Sequence, residues 1–312
     1  MNKVIVTGAG GFVGKVLVDQ LVGTGRDVTG IVRRVLPGDN CFKTIQIDIG
    51  PKTDFSSLLH SIDSIIHLAA RVHRMGEPEA DSLKRFRAVN VEGTLNLARQ
   101  AALAGVKRFV FLSSVKVHGE TTKPGSPFRE SDPPAPEDAY AKSKYEAEQG
   151  LVEIAEKTGM EVVIIRPPLV YGPGVKGNFR VLLNWIRKGV PLPLGAIDNR
   201  RSLVGIDNLV DFIITCMEHP AAANQVFLIS DGEDLSTTEL LRRAGQAMGR
   251  PARLIPVPPA ILQRGAAMLG EKDMARRLLG SLQVDISKAC NLLGWKPVAT
   301  VDQGLKRCVS SH

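Results

Sequence analysis

Hydrophobic positions along this chain follow two alternating rhythms. Short β-branched runs, beginning with Val4-Ile5-Val6-Thr7, read as strands buried on both faces. Between them, apolar residues recur three and four apart, the period of a helix packed on one side. The first helix is expected over 15–22. Strands follow at 27–32, 44–48, 62–68 and 109–113, with a long helix over 80–104. A loop over 121–138, rich in Pro, Gly and Ser, is expected to be irregular and to lie on the surface. A helix then opens at Tyr140 and continues past Glu148 toward Glu156, and another covers 179–188. Strands alternating with helices predict an α/β fold built on a doubly wound parallel sheet. The expected division is one domain over 1–166 and a smaller, mainly helical one over 167–312, some segments of which return to the sheet.

The first strand ends at Gly8-Ala9-Gly10-Gly11-Phe12-Val13-Gly14. Read as G-x-x-G-x-x-G, with glycines at 8, 11 and 14, this turn bends tightly and lets a pyrophosphate reach the helix N-terminus. Gly8, Gly11, Phe12 and Val13 are its expected contacts. A glycine turn alone is weak evidence, but placed after the first strand of a β/α alternation it reads as a dinucleotide loop. The second strand exits at Arg33-Arg34, where an acidic residue would suit NAD and an arginine suits the 2′-phosphate of NADP. NADP(H) is therefore the expected cofactor, with NAD(H) the alternative. Asp48 and Ile49, at the third strand's end, are expected to border the adenine. Leu68, Ala69 and Ala70 would let the cofactor lie close across the fourth. His67, in a buried strand, reads as a structural histidine rather than a base.

Composition narrows the classes. The chain has 312 residues, 44% hydrophobic and 23% charged, ordinary for a globular protein. No apolar stretch is long enough to span a bilayer, and no secretory leader precedes the first strand. Cys41, Cys216, Cys290 and Cys308 are scattered without a C-x-x-C pair, indicating neither zinc nor a disulfide framework. A cytoplasmic protein without a metal site is expected. The net charge of +8 raises nucleic-acid binding, but the basic residues form scattered pairs, and 5% aromatics is too sparse for a base-stacking surface. Residues 258–279 are rich in Ala, Leu and Met but interrupted by arginines and a lysine. They are expected to pack in the core or an interface rather than against a membrane.

The chemistry centres on Tyr140-Ala141-Lys142-Ser143-Lys144. Four residues apart on a helix, Tyr140 and Lys144 share a face. A nearby ammonium favours the phenolate, and an oxidised nicotinamide would add a second positive charge. Together these are expected to bring the phenol toward neutrality, where a general acid–base works best.

The glycine turn, Ser113-Ser114, Tyr140 to Lys144, and Arg166-Pro167-Pro168-Leu169-Val170-Tyr171-Gly172-Pro173-Gly174 together resemble the extended short-chain dehydrogenase/reductases, specifically the nucleotide-sugar epimerase/dehydratase branch. Asp285-Ile286-Ser287-Lys288 and Leu293-Gly294-Trp295-Lys296-Pro297 extend the likeness almost to the end. The resemblance implies a Rossmann-type dinucleotide domain and a C-terminal substrate-binding domain. It makes Tyr140 the proton-transfer residue, Lys144 the ribose ligand and Ser114 the partner of the reacting sugar oxygen. Asn90 and Pro167 would line the cofactor. Asn178, Arg201 and, with altered local spacing, Arg276 (or its neighbour Arg277) would hold the nucleotide diphosphate of a UDP-sugar. The helix over 80–104 and the Tyr140 helix would pair across the two-fold axis of a homodimer.

Departures from the family matter as well. Where many 4,6-dehydratases carry Asp-Glu after the active hydroxyl, this chain has Val115 and Lys116; valine moves no proton, so that elimination is disfavoured. Lys116 is kept as a substrate contact. The usual Val-Tyr-Gly reads Val117-His118-Gly119, with no consequence legible in the sequence. Two reactions remain. A 4-ketoreductase consumes an exchanging reductant, which Arg33-Arg34 favours; its substrate would be a UDP-4-keto-6-deoxy-N-acetylhexosamine of surface-polysaccharide synthesis, giving an N-acetylquinovosamine-type product. A UDP-hexose 4-epimerase, with a cofactor regenerated every cycle, is the alternative. A non-catalytic dinucleotide sensor fits poorly with an intact tyrosine–lysine pair.

Overall fold

The computed structural model describes residues 3–34, 42–72, 82–123 and 125–310. The main sheet is built from β1 (Lys3–Thr7), β2 (Asp27–Val32), β3 (Lys43–Gln46), β4 (Ser64–His67), β5 (Arg108–Leu112) and β6 (Glu161–Arg166). After β7 (Leu169–Tyr171) and β8 (Arg201–Gly205) the chain returns to add β9 (Val226–Leu228). The order is β3-β2-β1-β4-β5-β6-β9, parallel throughout. The strand order reverses between β1 and β4, and in such sheets ligands bind in the crevice beyond the strand ends at that point. The predicted doubly wound sheet is the one observed.

Alternation along the strands explains the two cores. Val4, Val6, Ile66 and Val110 pack on one face, against Leu17 and Leu21 of α1 (Phe12–Gly23) and Leu209 and Ile213 of α6 (Ile206–Glu218). Ile5, Ile65, Phe109 and Phe111 point to the other face, as the period-two geometry of a strand requires. They meet Leu97 and Ala101 of α3 (Thr94–Leu103), and Ala147 and Leu151 of α4 (Ala139–Thr158). A third core, around Tyr171, Phe179, Leu203, Leu241 and Leu305, joins α5 (Gly177–Arg187), α7 (Thr237–Ala247) and α11 (Val301–Ser310) to a small sheet ordered β10-β8-β7, where β10 is Asp234–Leu235.

Two expectations change. The helix foreseen over 80–104 is α2 (Ser82–Phe86), a π-helical stretch Arg87–Gly93, and then α3. The widened turn carries Asn90, whose side chain bonds the backbone of Arg71 in both directions, a partnership the periodicity does not reveal. The third strand is shorter, leaving Asp48 and Ile49 in the segment beyond it. Over 258–279 the packing on the core is shallow: Leu262 of α8 (Pro259–Met268) and Leu278 and Leu279 of α9 (Lys272–Leu279) lie partly buried against the third core, while Ile261, Met268 and the adjoining Leu269 stand 58%, 88% and 81% exposed. Cys41 lies outside the described residues, and Cys216, Cys290 and Cys308 are free thiols. Among the described residues no helix is long and apolar enough to cross a membrane, and no group of three or more His, Cys, Asp or Glu is placed to hold a metal ion.

Candidate active site

The turn after β1 is sterically committed. Gly8 has φ +71°, and a Cβ there would lie 2.9 Å from the Ala69 amide nitrogen. At Gly14 a Cβ would fall 2.2 Å from the Gly8 carbonyl oxygen. Only glycine lets α1 sit this close on the turn. Gly11 is the N-cap of α1 without a side-chain cap, so the first-turn N–H groups around Phe12 and Val13 are left for a ligand anion. Thr7 Oγ1 accepts from the Ala69 N–H at 3.1 Å and contacts His67 Nδ1 at 2.8 Å. The other imidazole nitrogen meets Thr94 Oγ1 at 2.9 Å. Burial, helped by the Lys144 charge, drives the ring's pKa down to about 3. His67 is a neutral, fully partnered strut, as its sequence context suggested. Leu68, Ala69 and Ala70 follow it, half-buried beside the turn.

A dinucleotide fits this cradle: a turn that tolerates no side chain, facing uncapped helix N–H groups beside small residues. Arg33 and Arg34 stand exposed at the β2 exit, Asp48 is exposed and Ile49 buried. Asn90 binds the Arg71 backbone at 2.8 and 3.1 Å and donates to Ser143 Oγ at 3.0 Å. It thereby ties the segment after β4 to α4. Pro167, buried beyond β6, accepts from the Val115 N–H at 3.0 Å.

That bond brings Ser114 into place. Its side chain caps the 3-10 turn Val115–Val117, accepting from the Lys116 N–H at 3.3 Å. Tyr140 and Lys144 open α4, whose N-cap Asp138 accepts from the Ala141 N–H at 2.6 Å. Tyr140 is half-buried, edge-on to Phe86 with centroids 6.1 Å apart. Lys144 is 1% exposed, its Nζ 4.1 Å from the centre of the Phe111 ring.

Lys144 by itself does not bring the phenol toward neutrality. Burial first, and the Asp138 carboxylate second, push Tyr140 up to about 12. Burial also pulls Lys144 down to about 7, against the opposing charge of Glu148. Desolvation disfavours either charged form and is the main cause at both residues. A phenolate must therefore draw on positive charge delivered with a ligand.

Lys116 and Arg276 share the Glu120 carboxylate. Lys116 Nζ is 2.7 Å from both Glu120 Oε1 and Asp138 Oδ2. Arg276, on α9, lies 2.7 Å from Glu120 Oε2 and 2.6 Å from Glu137 Oε2. Burial would raise the Asp138 carboxyl, but Lys116, the Ala141 N–H and the Arg277 charge hold it below its usual range. Arg201, half-buried at the start of β8, donates to the Gly280 carbonyl at 3.0 Å. Its charge is felt together with those of Glu120 and Arg277. Asn178 is exposed in the first turn of α5. Sequence reasoning missed Glu120, Glu137 and Asp138, which lie on the irregular segment between β5 and α4. It also missed Glu148, although its place four residues after Lys144 was a signal.

Residues 4–230 match the sequence model of the NAD dependent epimerase/dehydratase family. A UDP-glucose 4-epimerase of Vibrio cholerae is 48% identical over 308 residues, covering 98% of this chain and 94% of that protein. A 3-beta-hydroxysteroid dehydrogenase of Mycolicibacterium neoaurum is 30% identical, covering 99% and 91%. Among solved structures, a UDP-glucuronic acid 4-epimerase from Bacillus cereus in complex with NAD superposes with a TM-score of 0.79 at 23% identity, covering 99% of this chain and 96% of that one. The chain belongs to the NAD dependent epimerase/dehydratase family and is an NAD(P)-dependent enzyme of the extended short-chain dehydrogenase/reductase type.

Proposed function

We propose that this protein is a UDP-hexose 4-epimerase that retains NAD through its cycle. The observation that carries this reading is the 48% identity to the Vibrio cholerae UDP-glucose 4-epimerase across nearly the full length of both chains. It displaces the ketoreductase as the leading reading, since Arg33 and Arg34 were its main support. Gly8, Gly11, Phe12 and Val13 would hold the pyrophosphate, Asp48 and Ile49 the adenosine side, and Leu68 to Ala70, Asn90 and Pro167 the nicotinamide side. The nicotinamide would supply a hydride acceptor and donor for C4 of the sugar. Tyr140 would take the O4 proton as C4 is oxidised and return it to O4 once the keto sugar has turned its other face to the returning hydride, while Ser114 donates a hydrogen bond to that oxygen. Lys144 would hold ribose hydroxyls. Asn178, Arg201 and Arg276 would bind the diphosphate, arginine being suited to bidentate phosphate contacts.

The test uses purified protein and UDP-glucose or UDP-N-acetylglucosamine, with no added dinucleotide. C4 inversion, with stoichiometric NAD released on denaturation, is the expected result. An unchanged sugar, together with NADPH-dependent reduction of a UDP-4-keto-6-deoxy-sugar, would establish the second reading. That reading rests on the exposed Arg33 and Arg34 at the β2 exit. We also propose a homodimer formed by α2, α3 and α4, with light scattering as its check.

A further inference from the structure

Behind the proposed catalytic pair lies a buried charge network with no role in the chemistry above. Glu148, on α4 one turn beyond Lys144, is 3% exposed. It receives Arg166 through Nε at 3.1 and 3.2 Å and through Nη2 at 2.5 Å, and it accepts a short hydrogen bond from Ser113 Oγ. Arg166 Nη1 in turn meets His118 Nε2 at 2.7 Å, and the His118 ring stacks on Phe128 with centroids 5.4 Å apart. Each partner adjoins a site residue. Ser113 precedes Ser114, Arg166 precedes Pro167, and His118 follows the turn that carries Lys116. Through these bonds Glu148 ties the ends of β5 and β6 to the helix bearing Tyr140 and Lys144.

The charges do not balance without it. Arg166 and Lys144 are both buried cations, 5% and 1% exposed, and Glu148 is the buried anion between their elements. The other titratable groups near the pair and its network offer no substitute. His67 on β4 is neutral, Tyr140 is a neutral phenol, and His118, beyond Arg166, is pushed down to about 4 by burial and the Arg166 charge against the Asp132 carboxylate, so it is neutral too. Beyond Arg166, Lys288 of α10 (Ser287–Leu293) adds only further positive charge, with Glu130 close to it. A buried arginine paired to a carboxylate needs no second cation nearby, so the pair alone does not explain why the carboxylate shares a helix face with Lys144.

We infer that Glu148 is a positioning residue, whose carboxylate locks the ends of β5 and β6 onto α4 and sets a buried negative charge one helical turn from Lys144. This rests on the proposed role of Lys144 as a ribose ligand. It does not depend on whether the reaction is epimerisation or reduction. Removing the carboxylate takes away the charge that favours the Lys144 ammonium against its burial, so its proton is lost at lower pH.

The test is the pH dependence of dinucleotide binding to the whole protein, with NAD and NADPH titrated separately over pH 5.5 to 10. In the native protein, affinity is expected to fall as pH rises through the Lys144 value of about 7. In Glu148→Gln the fall should move about one unit lower, and Glu148→Asp should move it back. Should Glu148→Gln fail to fold, the paired variant Glu148→Gln/Arg166→Gln removes both buried charges and should still show the downward shift. Glu148 is the charge that favours the Lys144 ammonium. An unchanged midpoint in a folded Glu148→Gln or in the paired variant would overturn the inference. Failure of C4 inversion with the shift intact would overturn the 4-epimerase reading alone.

Discussion

At the scale of the residue, the cleft is governed by desolvation. Tyr140 and Lys144 share a helix face as their spacing predicted, yet burial moves them apart: the phenol rises to about 12 while the lysine falls to about 7. Asp138 contributes to the tyrosine's rise, and Lys116 sits 2.7 Å from that carboxylate. Lys116 therefore acts on Tyr140 through Asp138, a role that its reading as a substrate contact did not include. Lys116→Met should leave the Asp138 charge uncompensated and raise the phenol further. The limb on which activity climbs with pH should move to higher pH, with turnover at pH 7.5 reduced by roughly tenfold, one pKa unit's worth. A pH–rate profile of the variant checks this. An unmoved limb would show that Lys116 serves the substrate alone.

At the scale of the element, the β1–α1 turn and the helix before β5 show two kinds of constraint. The first is steric and visible in the sequence. Gly14→Ala places a Cβ 2.2 Å from the Gly8 oxygen, so α1 must shift away from the turn. A cost of about 1–3 kcal/mol is the ordinary penalty for overpacking. Urea denaturation should show that loss, and dinucleotide affinity should fall with it. The second constraint is relational. The π-helical stretch at Arg87–Gly93 is held by bonds from Asn90 to Arg71 and Ser143, residues far apart in the chain. Such widened turns are frequent at functional sites, but apolar periodicity over 80–104 reads only as a continuous helix. Element existence was legible here and element geometry was not.

Across the whole molecule, two effects reach beyond the cleft. Arg276 joins the C-terminal helices to the dinucleotide half through Glu120 and Glu137. Those carboxylates occupy the guanidinium that the resemblance assigns to a diphosphate, so the ligand must take their place. Arg276→Gln should raise KM for a UDP-sugar by about tenfold with little change in kcat, the pattern of a lost uniform binding contact. Steady-state kinetics read this directly. Stability should depend on pH through the buried histidines. His67 and His118 have folded values of about 3 and about 4, below the unfolded value near 6.5. Between those limits the unfolded chain binds more protons, so stability rises with pH. The thermal midpoint should fall from pH 7 to pH 5, and His118→Asn should flatten the fall. Equal midpoints at the two values would show that neither ring titrates on unfolding.

Local physics was enough for the strands, the glycine turn and the Tyr140–Lys144 face. Each depends on residues within a few positions of one another, where sterics and periodicity act directly. Long-range packing decided the rest. β9 returns to the main sheet from beyond residue 166, and α8 touches the third core through Leu262 while Ile261 and Met268 stand exposed. Three carboxylates gather from an irregular segment, and Glu148 reaches Arg166 and Ser113 across strand ends. Whether a side chain keeps its ordinary charge depends on how much water and which neighbours the folded chain leaves it. That balance of desolvation against Coulomb attraction exists only once distant segments have been brought together.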